Sequence, residues 1–247
     1  MSGVRGLKSY WRASRAPRYS YTFALPLLAL YELFAAILPP GETHGVRNGA
    51  DVILKSVFYA ALGRWGPLAF GVLLVGIFVW RAWRDARATG EPLRASYFLW
   101  MLGESVALAL VFGVVVGLIT ARLLGTLHML SLAPMQQLDT PTKLMVSLGA
   151  GLYEELLFRV ILVSGLATFG RVVCGMTPRI AGAFAVVLGA IIFSAFHYVG
   201  AYGDVFTVQS FTFRMIAGLF FSALYLLRGF GIVAWTHALY DVFLIFA

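Results

Sequence analysis

Residues 151–162 read GLYEELLFRVIL, and they lie inside an apolar run, residues 142–170, that is long enough to cross a bilayer as a helix. A hydrocarbon core about 30 Å thick takes about 20 such residues. Within that run, Glu154, Glu155 and Arg159 fall inside six positions. A charge near the bilayer centre costs at least about 2.5–3.5 kcal/mol, so these groups must face the interior of a bundle and find partners there. At about 100° per residue, Glu155 and Arg159 share one helix face within ion-pair reach. Glu154 is turned away from that face, so the two glutamates serve different environments. One can be held by the arginine while the other points into a cavity. Gly149 and Gly151 remove bulk beside Glu154 and let another helix or a substrate backbone come close.

The rest of the chain extends the membrane reading. It has 247 residues, of which 60% are hydrophobic and 12% charged, against about 25% charged in an average soluble domain. Its mean hydropathy is +0.85. Apolar blocks near 20–38, 66–84, 96–125, 142–170, 180–198, 211–228 and 230–247 read as spans. Segment 51–63 is too short to cross and reads as an interfacial or re-entrant helix. The expected fold is therefore all-α, a polytopic membrane bundle of seven to eight transmembrane helices. It divides into a basic interfacial segment (1–19), transmembrane helices without a motif (20–141) and a motif-bearing transmembrane core (142–247). No low-complexity tract, Ser/Pro-rich linker or repeat interrupts it.

The net charge of +8 does not point to nucleic acid, because the basic residues cluster at the ends of the apolar blocks. With the N-terminus inside, twelve Lys/Arg fall on the cytoplasmic side and six on the other. This bias sets the N-terminus in the cytoplasm and, with seven spans, the C-terminus outside. The lead is read as part of an uncleaved anchor rather than a signal peptide, since no clear small-residue cleavage site precedes residues 39–41. Lys8, Arg12 and Arg15 would meet anionic headgroups of membrane lipids, with Trp11 at the interface. Cys174 is alone, so the chain has neither an internal disulfide nor a cysteine metal site. The compact, basic, alanine- and glycine-rich chain fits a bacterial inner membrane.

Two further apolar stretches carry ionisable groups at helical spacing. FSAFHYV sets Phe193 and His197 four apart, and THALYDVF does the same for His237 and Asp241. Histidine and carboxylate so placed can bind each other or a common ligand. Glu32, Glu104 and Arg214 each stand alone in their helices and are expected to pair between helices or sit at an interface. His44 and His128 fall in loops or span ends, where solvation is expected.

The motifs EELLFR, FSAFH and HALYD, in this order, resemble those of the CaaX-processing and bacteriocin-processing membrane proteases, the CPBP or Abi family. The segment AGLFFSALYLLRGFGIVAWTHALYD is similar to another stretch of that family, with Ser222 where a glycine is usual. The resemblance covers 142–247 and implies a glutamate-dependent intramembrane endopeptidase working without a metal or other cofactor. It implies that Glu154 is the general base, that His197 helps hold the water, and that His237 and Asp241 face the oxyanion. Glu155 and Arg159 would position and charge-balance the site. The family pattern also allows asparagine at position 241, which could donate to an oxyanion as an ionised aspartate cannot. Asp241 is accordingly either protonated or used to orient His237; the orienting role is the expectation here.

The implied substrate is a lipidated or membrane-anchored protein or peptide, cut near its C-terminus or anchor. Bacterial relatives called myxosortases are associated with C-terminal membrane-anchoring tags. With the N-terminus inside, the site opens toward the exoplasmic face. Other readings stay open at this level. Zinc suits two histidines and carboxylates, although H-E-x-x-H is absent and Arg159 competes with a cation. A non-proteolytic scaffold needs the same cavity. A proton-coupled transporter lacks the visible inverted repeat it would need.

Overall fold

The computed structural model describes residues 2–38, 40, 46–125, 137–200 and 203–246. His44 and His128 lie outside these residues. The described residues form helices and no strands. The helices are α1 (Ser2–Ser14), α2 (Pro17–Ile37), α3 (Gly49–Leu62), α4 (Gly66–Thr89), α5 (Ala95–Leu124), α6 (Thr140–Gly149), α7 (Ser164–Val172), α8 (Pro178–Phe196), α9 (Val208–Arg228) and α10 (Phe230–Phe246). A 3-10 turn, Gly63–Trp65, joins α3 to α4. Between α6 and α7 the backbone runs as π-helix over Ala150–Glu154 and Leu156–Val163.

Local chemistry sets most of the boundaries. Asn48, Asp139, Thr177 and Thr207 each accept a hydrogen bond from a backbone N–H in the first turn of the helix that follows, which satisfies a donor the helix itself leaves unpaired. Gly90 and Gly125 close α4 and α5 in the left-handed conformation, where glycine has no Cβ to clash.

Length and composition let five segments cross a membrane: α2, the α3–α4 stretch, α5, α8 and α9, with α10 apolar but shorter. Their outer faces are apolar too. Val72, Leu99, Trp100, Val114, Leu123, Ile180 and Val187 are all exposed. A surface of this kind is stable only against lipid, so the chain is an integral membrane protein. Helix α3, with its 14 residues, is about 21 Å long. It does not cross alone but folds back on α4, where Phe58 packs against Phe70.

Helix α10 lies at the centre, packed against α2, α5, α6, α9 and the first π-segment. Ile232, Val233 and Ala234 on it are completely buried. Close approach is bought by glycine at two points. A Cβ on Gly231 would lie 2.3 Å from Ser20 O, and one on Gly151 would lie 2.3 Å from Ala234 O. Gly151 thus serves contact with α10 rather than with a substrate.

The isolated charges find partners from other elements, as expected of buried charge. Arg228 bonds Glu104 through Nε and Nη2 at 2.6 and 2.7 Å, and bonds Trp11 O and Ser14 Oγ of α1 at 3.1 and 2.8 Å. Glu32 meets Lys55 at 2.9 Å and also Tyr153. Arg214 pairs with Asp204 and bonds Ser210 and Tyr198.

Candidate active site

Three apolar helical stretches, far apart in sequence, bring the motif residues together. Glu154 ends the first π-segment, Glu155 follows it, and Arg159 lies in the second. The α-helical rotation expected between 142 and 170 is therefore corrected over Ala150–Val163. Here the backbone bonds run i→i+5, an arrangement rare in proteins and frequent at functional sites. The wider turn is compatible with the Glu155–Arg159 pair, whose Oε2 and Nε are 3.0 Å apart. It is an ion pair by distance, without the alignment of a hydrogen bond. Both side chains are fully buried. The guanidinium lies over Phe193 at 4.4 Å and near Phe221 at 5.5 Å. Its two terminal nitrogens have no hydrogen-bond partner among the described residues.

His197 follows the last residue of α8, and its Nδ1 is 2.9 Å from Phe193 O. A carbonyl only accepts, so Nδ1 carries the hydrogen and Nε2 of the neutral ring is a bare acceptor. That Nε2 stands 3.8 Å from Glu154 Oε2. Two acceptors thus face each other across a gap too wide for a direct bond. Glu154 Oε2 has no hydrogen-bond partner among the described residues. The other oxygen, Oε1, accepts from Asn48 Nδ2 at 2.9 Å.

On the far side, His237 Nδ1 bonds Glu155 Oε1 at 2.7 Å. Its ring stacks on Phe221 with centroids 4.4 Å apart. Asp241 Oδ2 lies 3.8 Å from His237 Nε2, beyond hydrogen-bond distance. This corrects the expected orienting role of Asp241. Glu155 holds the ring, because it reaches Nδ1 directly across the helix interface. Phe193 is edge-on to both imidazoles, at 4.9 Å from His197 and 6.2 Å from His237.

Two features escaped sequence reasoning. The Glu155–His237 bond spans 82 positions and has no local signature. Asn48 lies outside the motifs; its only signal was an asparagine at the start of a helical pattern, which reads as a cap. As for a metal ion, no group of three or more His, Cys, Asp or Glu able to hold one occurs among the described residues. Glu155 is committed to Arg159 and His237, which leaves a poor ligand set.

No curated protein and no solved structure matches the chain. A family model does. Residues 136–243, somewhat under half the chain, match the family of type II CAAX prenyl endopeptidases called Rce1-like, and the match contains every motif residue described above. The motif-bearing part of this membrane bundle is thus similar to the Rce1-like family of CAAX-type proteases.

Proposed function

We propose that the chain is an intramembrane endopeptidase that cuts a lipidated or membrane-inserted protein or peptide near its C-terminus or anchor, using a water activated by Glu154. The observation that carries this reading is the pair of facing acceptors, buried Glu154 Oε2 and partly exposed His197 Nε2, 3.8 Å apart. A water seated there has two O–H groups to give, one to each acceptor. Its lone pairs are then left pointing away, toward a substrate carbonyl. As the water attacks, Glu154 takes one of its protons, and later passes it to the departing amine.

The oxyanion formed at the carbonyl needs donors. His237 Nδ1–H is spent on Glu155, so the second nitrogen donates only if it is protonated. A proton on His237 Nε2, or on the Asp241 carboxyl 3.8 Å away, supplies that donor. Glu155 stabilises the imidazolium, and Arg159 offsets the surplus negative charge. No metal or other cofactor is used in this scheme.

The distribution of charge supports one membrane side. Arg18 and Arg228 lie at the end of the bundle that holds α1, whereas the site lies toward the C-terminal ends of α2 and α8. With the arginine-rich end in the cytoplasm, the N-terminus is cytoplasmic and the site opens to the outer half of a bacterial inner membrane. That setting suits anchored proteins in export, as with myxosortases, in contact with membrane lipids and without nucleic acid.

The test compares wild type with Glu154→Gln in a strain lacking the chromosomal copy, following the C-termini of membrane-anchored proteins by mass spectrometry. Defined cleavages should vanish in the variant at equal protein level. Identical processing in both strains would refute a glutamate-dependent protease and leave a scaffold.

A further inference from the structure

We infer that Asn48, from the half of the chain outside the family match, is the residue that positions the base for hydrolysis. The inference rests on the reading of Glu154 as that base. The amide is buried, with 4% exposure, and both ends are engaged. Its Oδ1 accepts from the backbone N–H of Ala50 at 2.9 Å, as the cap of α3. The backbone N–H can only donate, so the atom facing it must be the oxygen, and the amide cannot be flipped. Its Nδ2 must therefore face Glu154 Oε1, 2.9 Å away, and it donates.

This orientation divides the labour between the two carboxylate oxygens. Oε1 is held in place by that donor. Oε2 is left as the basic oxygen opposite His197. The seat is built from several elements. A Cβ on Gly149 would come within 2.8 Å of Asn48 Cβ and 2.5 Å of the Tyr31 ring, so only glycine at 149 admits Asn48 so close to Glu154. On the other side Gly49 lies against Phe196, the residue before His197, where a Cβ would be 3.1 Å from the ring. One short stretch thus touches the neighbours of both water-binding groups.

The cap and the donor can be separated. Serine and aspartate cap helices as well as asparagine does, but serine is too short to reach Glu154, and aspartate brings a second carboxylate instead of a donor. The experiment returns purified full-length wild type, Asn48→Ser, Asn48→Asp or Glu154→Gln to membranes of the strain lacking the gene. The substrates are the unprocessed anchored proteins in those membranes, and cleaved C-terminal peptides are timed by mass spectrometry across a pH series. Asn48→Ser should lose about ten- to hundredfold in kcat with KM nearly unchanged. Asn48→Asp should move the acid limb of the pH profile upward, because two adjacent carboxyls share a proton. Both Asn48 variants take the donor from buried Glu154, so each should melt somewhat below wild type, and rates are compared per folded molecule. Wild-type rates and an unmoved acid limb in both Asn48 variants, with Glu154→Gln inactive, would overturn the positioning role and leave Asn48 a cap. Activity in Glu154→Gln, or no processing by wild type, would overturn the base and this role with it.

Discussion

Two buried arginines, Arg228 and Arg159, show how this bundle treats the same chemistry in two ways. Arg228 is 2% exposed and Arg159 1%. All three nitrogens of Arg228 are in hydrogen bonds, to Glu104, Trp11 O and Ser14. They tie α1 to α5 and α9. Arg159 has one ion-pair partner, and its terminal nitrogens rest on aromatic faces. The carboxylates differ likewise. Glu104 accepts from both Arg228 and Tyr10, whereas Glu154 keeps one oxygen without a partner among the described residues. A structural cluster spends its valences on the protein; a reactive one keeps some of them for what it will bind.

The comparison can be broken most sharply at Glu154. Glu154→Gln keeps an oxygen for Asn48 to bond, so the melting temperature should hold, while hydrolysis falls by about 10²–10⁴-fold. Parallel calorimetry and cleavage assays check both halves of that statement. Arg228→Met should do the reverse. It leaves Glu104 buried without its cation, at a cost of about 3–5 kcal/mol in stability, with the cleavage rate per folded molecule unchanged. Adding Glu104→Gln should recover part of the loss, as a double-mutant cycle in detergent would measure.

Glu155→Gln sits between these extremes. It weakens the support of His237 and leaves Arg159 without a counter-charge, so both the melting temperature and kcat should fall. Gly151→Ala, read by thermal unfolding, should cost about 1–3 kcal/mol, since its new Cβ meets the Ala234 carbonyl and must push α10 away. The smallest effect is expected from Asp241→Asn. Asparagine supplies a donor where the scheme needs one and Glu155 still holds His237, so turnover should stay near wild type. A collapse of activity would mean that the carboxylate itself is required.

Much of this molecule was legible in its sequence because the underlying physics is local. Blocks of apolar residues near the thickness of a bilayer could only be spanning helices, and charges inside them had to pair. Glu155 and Arg159 are four positions apart, so the helix repeat itself put them within reach. The three motifs could be read in order, and with them the resemblance that the family match over residues 136–243 repeats. The tertiary structure alone decided the rest. Glu155 rather than Asp241 holds His237, and Asn48 holds Glu154, because each bond joins helices whose relative height and rotation depend on packing across the whole bundle. The π-helix over Ala150–Val163 was hidden for a related reason. Hydrophobic periodicity records which face of a helix is covered, while a slip of one residue in the backbone bonds leaves that pattern of faces largely unchanged.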